Sequence, residues 1–264
     1  MKDFKFLKKY GQNFLSDKNL LRAIVSDSGT IEGDTVLEVG PGAGALTEAI
    51  LDIGANLTSV EIDDRLIPVL KERFENRDNF RLVNADVMKL SGEEIKDLVG
   101  DNFRVVANIP YYITSPLIMR FLEETPRAKS ITVMVQKEVA ERLTARAGDG
   151  DYGVISVAVA LYGKARITRY VDRRMFYPIP EVDSAVVTID VDDSICENVK
   201  EVMKLVRASF AMRRKTLRNN LTANYGITGA KFDEVITKLG KEITIRGERL
   251  TPEEFVTLYK ELKK

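Results

Sequence analysis

Apolar residues in the first part of the chain follow two alternating rhythms. Short runs rich in Val, Leu and Ile begin near residues 35, 57, 80, 103 and 131, and between them apolar positions return every third or fourth residue. A strand covered on both faces shows no polar alternation, whereas a surface helix needs one apolar stripe. The runs therefore read as buried parallel strands, and the stretches between them as helices packed over the strands. Repeated strand and helix units of this kind predict an open, mostly parallel α/β sheet. Ahead of the first strand, Leu20, Leu21, Ile24 and Val25 lie at helical spacing over residues 18–28, with Ser16 or Asp17 as the cap.

Farther along, the pattern changes. Residues 152–162 are apolar almost throughout, which fits a buried helix, although the β-branched residues leave a strand open. Residues 165–171 and 184–191 read as two strands pairing antiparallel at the sheet edge. Phe176-Tyr177-Pro178-Ile179-Pro180 forms a proline-braced loop between them. Residues 191–194 look like a linker. Beyond it the chain is helical, with Leu205, Phe210, Leu217 and Leu221 as expected core contacts, and Gly226, Gly229 and Gly240 as breaks. Thr251, Pro252 and Glu254 spell a capping box for the last helix. The division expected is an α/β domain over residues 1–193 and a small all-helical domain over 194–264.

Composition removes several kinds of chemistry. The chain contains no histidine, which excludes imidazole bases, Ser-His triads and histidine metal sites; no metal is expected. Its one cysteine, Cys196, excludes an internal disulfide and fits a reducing cytoplasm. No apolar run approaches the length of a membrane helix, and the first residues lack a signal-peptide core. The net charge of zero says little, but its distribution says more. Residues 203–224 carry Lys204, Arg207, Arg213, Arg214, Lys215 and Arg218 and no acid, and Lys164, Arg166, Arg169, Arg173 and Arg174 stand against Asp172 alone. Cations grouped in this way suit a phosphate backbone; the alternative for each group is a solvated helix face.

The strand ends carry the candidate chemistry. Val36-Leu37-Glu38-Val39 runs into Gly40-Pro41-Gly42-Ala43-Gly44-Ala45-Leu46-Thr47, a glycine-rich turn whose backbone can approach a ligand and whose helix start offers unpaired N–H groups. Glu61 ends the next strand about twenty positions past Gly40, where a carboxylate accepts ribose hydroxyls. Asp86 follows the third strand, placed to read an adenine edge. Gly40, Gly42 and Ala45 also fit the dinucleotide fingerprint, so the glycines alone leave a nicotinamide cofactor and S-adenosylmethionine both open.

Asn108-Ile109-Pro110-Tyr111, directly after Val105-Val106-Ala107, favours S-adenosylmethionine. An exocyclic amine such as adenine N6 is a weak nucleophile because its lone pair is delocalised into the ring. The Asn108 side-chain oxygen and the Ile109 carbonyl supply acceptors for its two N–H bonds, Pro110 stiffens the direction of that carbonyl, and Tyr111 offers a face for stacking. The plainer reading of Asn108 is a helix cap. Methyl transfer from a sulfonium tolerates the missing histidines, because the donor carries its own leaving group and orientation is what the protein must supply.

Taken in order, Gly11-Gln12-Asn13-Phe14-Leu15, Glu38-Val39-Gly40-Pro41-Gly42, Glu61-Ile62-Asp63, Asn108-Ile109-Pro110-Tyr111, Gln136-Lys137-Glu138, residues 176–186 and Arg213-Arg214-Lys215-Thr216-Leu217-Arg218 resemble the small-subunit ribosomal RNA adenine N6,N6-dimethyltransferases (KsgA-type) over nearly the whole chain. The resemblance implies a Rossmann-like methyltransferase sheet, mostly parallel with an antiparallel edge hairpin, and a small C-terminal all-α domain. It implies that Asn13, Leu15, Gly40, Gly42, Glu61, Ile62, Asp86 and Asn108 line an S-adenosylmethionine pocket. It also implies that Asn108, Ile109, Pro110, Tyr111 and Phe176 hold the target adenine. The expected product is dimethyladenosine at neighbouring positions in the 3′-terminal hairpin loop of small-subunit ribosomal RNA. The expected partner is an immature small subunit met in the cytoplasm by a monomer, with Arg213, Arg214, Lys215 and Arg218 on the RNA. Two other readings accompany it: a large-subunit ribosomal RNA methylase conferring antibiotic resistance, and a non-catalytic assembly factor on the same scaffold.

Overall fold

The computed structural model describes residues 14–15, 17–109, 111–124, 126–192 and 196–264. Asn13 and Pro110, both expected at the site, lie outside the described residues, as does Ser16.

Five parallel strands form where the apolar runs predict them: β2 (Thr35–Val39), β3 (Asn56–Glu61), β4 (Phe80–Asn84), β5 (Arg104–Asn108) and β6 (Ser130–Gln136). With β7 (Gly163–Val171) and β9 (Ser184–Val191) they make one sheet of order β4-β3-β2-β5-β6-β9-β7. Strand β9 runs antiparallel to β6, with Ser130 opposite Asp190 and Gln136 opposite Ser184. Arg166 pairs with Asp190, and the Thr168 hydroxyl reaches the Val186 carbonyl, so β7 and β9 also run in opposite directions, as the edge hairpin requires. A separate two-stranded ribbon joins β1 (Phe14–Leu15) to β8 (Phe176–Tyr177), with Leu15 opposite Phe176.

The strand order reverses between β2 and β5. In an open α/β sheet this is where a crevice opens beyond the carboxyl ends of the strands. On one face Val36, Leu57, Val106, Met134 and Val186 form a core with helices α1 (Lys18–Asp27), α2 (Ala45–Asp52) and α3 (Ile67–Phe74). Side chains alternate across a strand, so Thr58, next to Leu57, points to the other face, where its hydroxyl donates to the Leu98 carbonyl of α4 (Gly92–Val99). Asp17 caps α1 by accepting from the Leu20 N–H at 2.8 Å.

The chain divides into two compact units. One holds the described residues up to Ala140 together with Ala165–Val191; the other holds Glu141–Lys164 and Asp192–Lys264. The sequence suggested a single cut after residue 193, so the assignment of 141–164 differs. After helix α6 (Lys137–Thr144), residues 154–162 form helix α7 (Val154–Tyr162), buried along nearly its whole length. It packs with α8 (Val199–Ser209) and α11 (Pro252–Leu262). A helix without a polar face needs neighbours on every side, and the C-terminal helices provide them. The Tyr152 hydroxyl donates to the Leu250 carbonyl at 2.9 Å, and the Tyr152, Phe210 and Phe255 rings make successive contacts. Leu205, Leu217 and Leu221 are buried as expected, whereas Phe210 is half-buried. Thr251 and Glu254 complete the capping box of α11. Among the described residues no helix is long and apolar enough to cross a membrane.

Candidate active site

One cavity lies at the carboxyl ends of β2, β3, β4 and β5, and the expected residues converge on it. Leu15, Gly40, Gly42, Glu61, Ile62, Asp86, Asn108, Ile109 and Tyr111 all line it. Glu38, Val87, Met88 and Ile113 line it as well.

The glycine turn is shaped by backbone sterics. Gly40, Gly42 and Gly44 have φ of 69°, 59° and 83°, in the left-handed region that side chains disfavour. Gly44 is doubly constrained, since a Cβ there would stand 2.6 Å from a Phe74 ring carbon. The turn closes through the Gly44 N–H donating to the Pro41 carbonyl at 2.9 Å, and α2 starts directly after it. Glu61 reaches across from β3: its Oε2 accepts from the Gly42 N–H at 3.2 Å, and its Oε1 from the Asp63 N–H at 2.8 Å. A carboxylate retains further lone pairs after accepting two such bonds. Burial raises the Glu61 pKa, and the hydrogen bonds from Asp63 and Gly42 oppose that rise.

Asp86 is fixed by a turn in which its Oδ1 accepts from the Met88 N–H at 3.0 Å. The next residue is held from outside: buried Arg120, on α5 (Thr114–Glu123), donates from Nη1 to the Val87 carbonyl. Asn108 ends β5, half-buried at the cavity wall. A single 3₁₀ turn, Tyr111–Ile113, follows the motif, and the Tyr111 hydroxyl lies 2.8 Å from the Oγ of buried Ser184.

Glu38 was not singled out by sequence reasoning, although a charged residue inside the run Val36-Leu37-Glu38-Val39 is the signal that would have found it. It is 1% exposed. Its Oε2 accepts from the Thr47 hydroxyl at 2.7 Å and the Ser59 hydroxyl at 2.6 Å, while buried Oε1 has no hydrogen-bond partner. Burial lifts its pKa to about 7. Nor did sequence reasoning assign a task to Arg120 or Ser184; both act at a distance along the chain that no local pattern records.

Two expected residues are placed differently. Phe176 does not line the cavity: it is 3% exposed and packs in the core with Leu15, Leu21 and Ile24, so its ring offers no open face to a base. The cause is the β1–β8 register, which sets Phe176 opposite Leu15 and turns it inward. Arg218 is held inside its own unit, its guanidinium gripping both carboxylate oxygens of Asp233 at 2.7 and 3.0 Å, which ties α9 (Leu217–Asn224) to α10 (Gly229–Lys238). Arg213, Arg214 and Lys215 occupy an exposed turn before α9.

The donor set fits S-adenosylmethionine. Glu61 and Asp86 present carboxylates to the cavity, the kind of acceptor that ribose hydroxyls and an adenine edge require. The Glu38 carboxyl, with its orphaned Oε1, adds a buried polar group to the cavity wall, and Leu15, Ile62 and Val87 provide apolar wall. Among the described residues no group of His, Cys, Asp and Glu is placed to hold a metal ion.

Comparison with known proteins agrees with this geometry. The chain is 41% identical to the ribosomal RNA small subunit methyltransferase A of Alkaliphilus oremlandii, over 99% of this chain and 93% of that protein. A dimethyladenosine transferase structure from Plasmodium falciparum superposes with a TM-score of 0.76 at 28% identity, covering 93% of this chain and 95% of that one. The 23S rRNA methyltransferase ErmE superposes with a TM-score of 0.74 at 27% identity, covering 96% of this chain and 100% of that one. Residues 3–264 match the ribosomal RNA adenine dimethylase family, to which the chain belongs.

Proposed function

We propose that this protein transfers methyl groups from S-adenosylmethionine to N6 of two adjacent adenosines in the 3′-terminal hairpin loop of small-subunit ribosomal RNA, twice at each nitrogen, during small-subunit assembly. The observation that carries the reading is the convergence of Asn108, Glu61 and Asp86 on one cavity beside a tethered Tyr111. S-adenosylmethionine, when bound, supplies an activated methyl on a sulfonium centre. The chain's own residues orient what reacts. Glu61 and Asp86 hold the donor's ribose and adenine. The Asn108 side-chain oxygen and the Ile109 carbonyl accept hydrogen bonds from the two amine N–H groups and turn the nitrogen lone pair toward the donor methyl, a role in which fixed dipoles need no reorganisation; the methylated nitrogen then releases one proton to water. Tyr111 stacks on the base, which must leave its stack in the loop to enter the crevice. Phe176 serves from behind, holding Leu15 in the wall. Arg213, Arg214 and Lys215 meet phosphates.

The 23S methyltransferase likeness raises large-subunit RNA as a second substrate. The higher identity and shared name of the small-subunit relatives favour the first reading. The test is incubation with unmethylated small subunits and labelled donor, followed by mass mapping of the modified nucleotides. Two methyls on each of two neighbouring adenosines are expected. No transfer to small subunits, or transfer only in a parallel incubation with large-subunit RNA, overturns the reading.

A further inference from the structure

Exposed apolar side chains are unevenly spread over the described residues. Tyr170, near the end of β7, and Met175, Tyr177, Ile179 and Val182, in the strap between β7 and β9, account for half of the large exposed ones. Tyr177 is 70% exposed and Tyr170 61%. Exposed apolar side chains concentrated in one segment point to an interaction surface.

The strap is built onto the walls of the cavity. Its β8 segment pairs with β1, so Leu15, a cavity residue, stands opposite Phe176. Alternation along β8 then turns Tyr177 to the outer face of the same ribbon. At the end of the strap Asp183 accepts from the Arg173 N–H at 3.1 Å, and Ser184 holds the Tyr111 hydroxyl. The ordering of the strap and the placing of the base-stacking ring are therefore one piece of construction.

The charge of the strap narrows the occupant. Arg174 is paired with Asp172, and the Arg173 guanidinium donates to the Glu181 carbonyl, so these cations are spent on folding the loop. Glu181 and Asp183 offset them further. Affinity here comes from flat faces and not from phosphate neutralisation, and base stacking on aromatic side chains has that property. The need for such a surface follows from the function above, on which this inference rests. When one of two adjacent adenosines is drawn into the crevice, its neighbour loses a stacking partner.

We propose that the outer face of the strap, centred on Tyr177, is a stacking platform for unpaired nucleobases flanking the target adenosine. The chain has no tryptophan. Tyr177→Trp therefore gives a single reporter whose emission should be quenched on titration with the unmethylated 3′-terminal hairpin of small-subunit RNA. On unmethylated small subunits, Tyr177→Leu should raise KM for RNA about tenfold, leave kcat and donor affinity unchanged, and leave the salt dependence of binding unaltered; Tyr177→Trp should keep KM within about twofold of the parent. Indistinguishable Leu and Trp variants overturn the proposal. So does an unquenched tryptophan in a protein that still methylates. A KM effect on whole subunits without quenching by RNA alone assigns the strap to a ribosomal protein instead, which also overturns it. Absence of methyl transfer by the parent chain is a separate result: it removes the underlying function, and the platform with it.

Discussion

The hydroxyl of Tyr111 and the Oγ of Ser184 lie 2.8 Å apart, joining the turn after β5 to the first residue of β9. Burial raises the Tyr111 phenol above its ordinary pKa, and the Ser184 bond offsets part of that rise. The pair fixes the ring plane that the proposed function assigns to stacking. Ser184→Ala leaves a partly buried hydroxyl without this partner, at a cost of roughly 1–3 kcal/mol. The expected outcome in methylation kinetics is a clear loss of kcat/KM for either Ser184→Ala or Tyr111→Phe, with donor affinity retained. The double variant should be little worse than either single one, as for residues acting as a unit. Fully additive losses would show that the bond does not position the ring.

Asn108→Ala removes a carboxamide that orients an amine and leaves the surfaces proposed for phosphates intact. Turnover should fall by about two orders of magnitude, the scale of one lost transition-state hydrogen bond. RNA affinity should change less than threefold. Single-turnover methylation and filter binding on the same preparation measure both, and equal losses in the two defeat the assignment.

The sheet and most of the cavity were legible because their signals are local. The apolar runs named β2 to β6, and the strand-end positions of Gly40, Glu61, Asp86 and Asn108 follow from the rule that such sheets bind ligands at that edge. Phe176 was misplaced because one register decides which of two neighbouring aromatics faces inward, and the two-residue strand β8 shows no alternation to read. Tyr177, next to it, took the exposed position. The helix α7 joined the second unit for a similar reason. An unbroken apolar segment says that it is buried and not by what. Arg120 on Val87 and Arg218 on Asp233 are contacts between distant stretches, and a cation's partner is set by the fold.

That last contrast makes a prediction within one basic cluster. Arg213 and Arg214 sit in an exposed turn, whereas Arg218 is engaged by Asp233. Arg213→Ala with Arg214→Ala should weaken RNA binding and flatten the plot of log K against log salt by roughly 0.7–0.9 per lost phosphate contact. Arg218→Ala should leave that slope unchanged and lower the melting temperature. A slope altered by Arg218→Ala alone, and untouched by the other two, would reverse the roles.

Glu38 gives the pH dependence. Its pKa rises on folding from 4.5 to about 7, chiefly because burial penalises the charged form; the Ser59 and Thr47 hydroxyls oppose the rise, and nearby Glu61 adds to it. For an acid whose folded pKa is raised, the folded state binds the proton more tightly. The contribution is complete below pH 4.5 and is lost as pH rises through 7, with an upper magnitude on the order of 3 kcal/mol. The Glu38 share of the stability in urea should therefore decline between pH 5 and 7.5, superposed on the shares of other shifted groups such as Glu61, and is read as the difference from a variant that cannot titrate there. Glu38→Gln keeps an oxygen for Thr47 and Ser59 and carries no titratable proton, so its stability should be flatter across the same window. Two parallel pH profiles would mean that the buried carboxyl titrates alike in both states, and that the Glu38 pocket does not hold a proton at neutral pH.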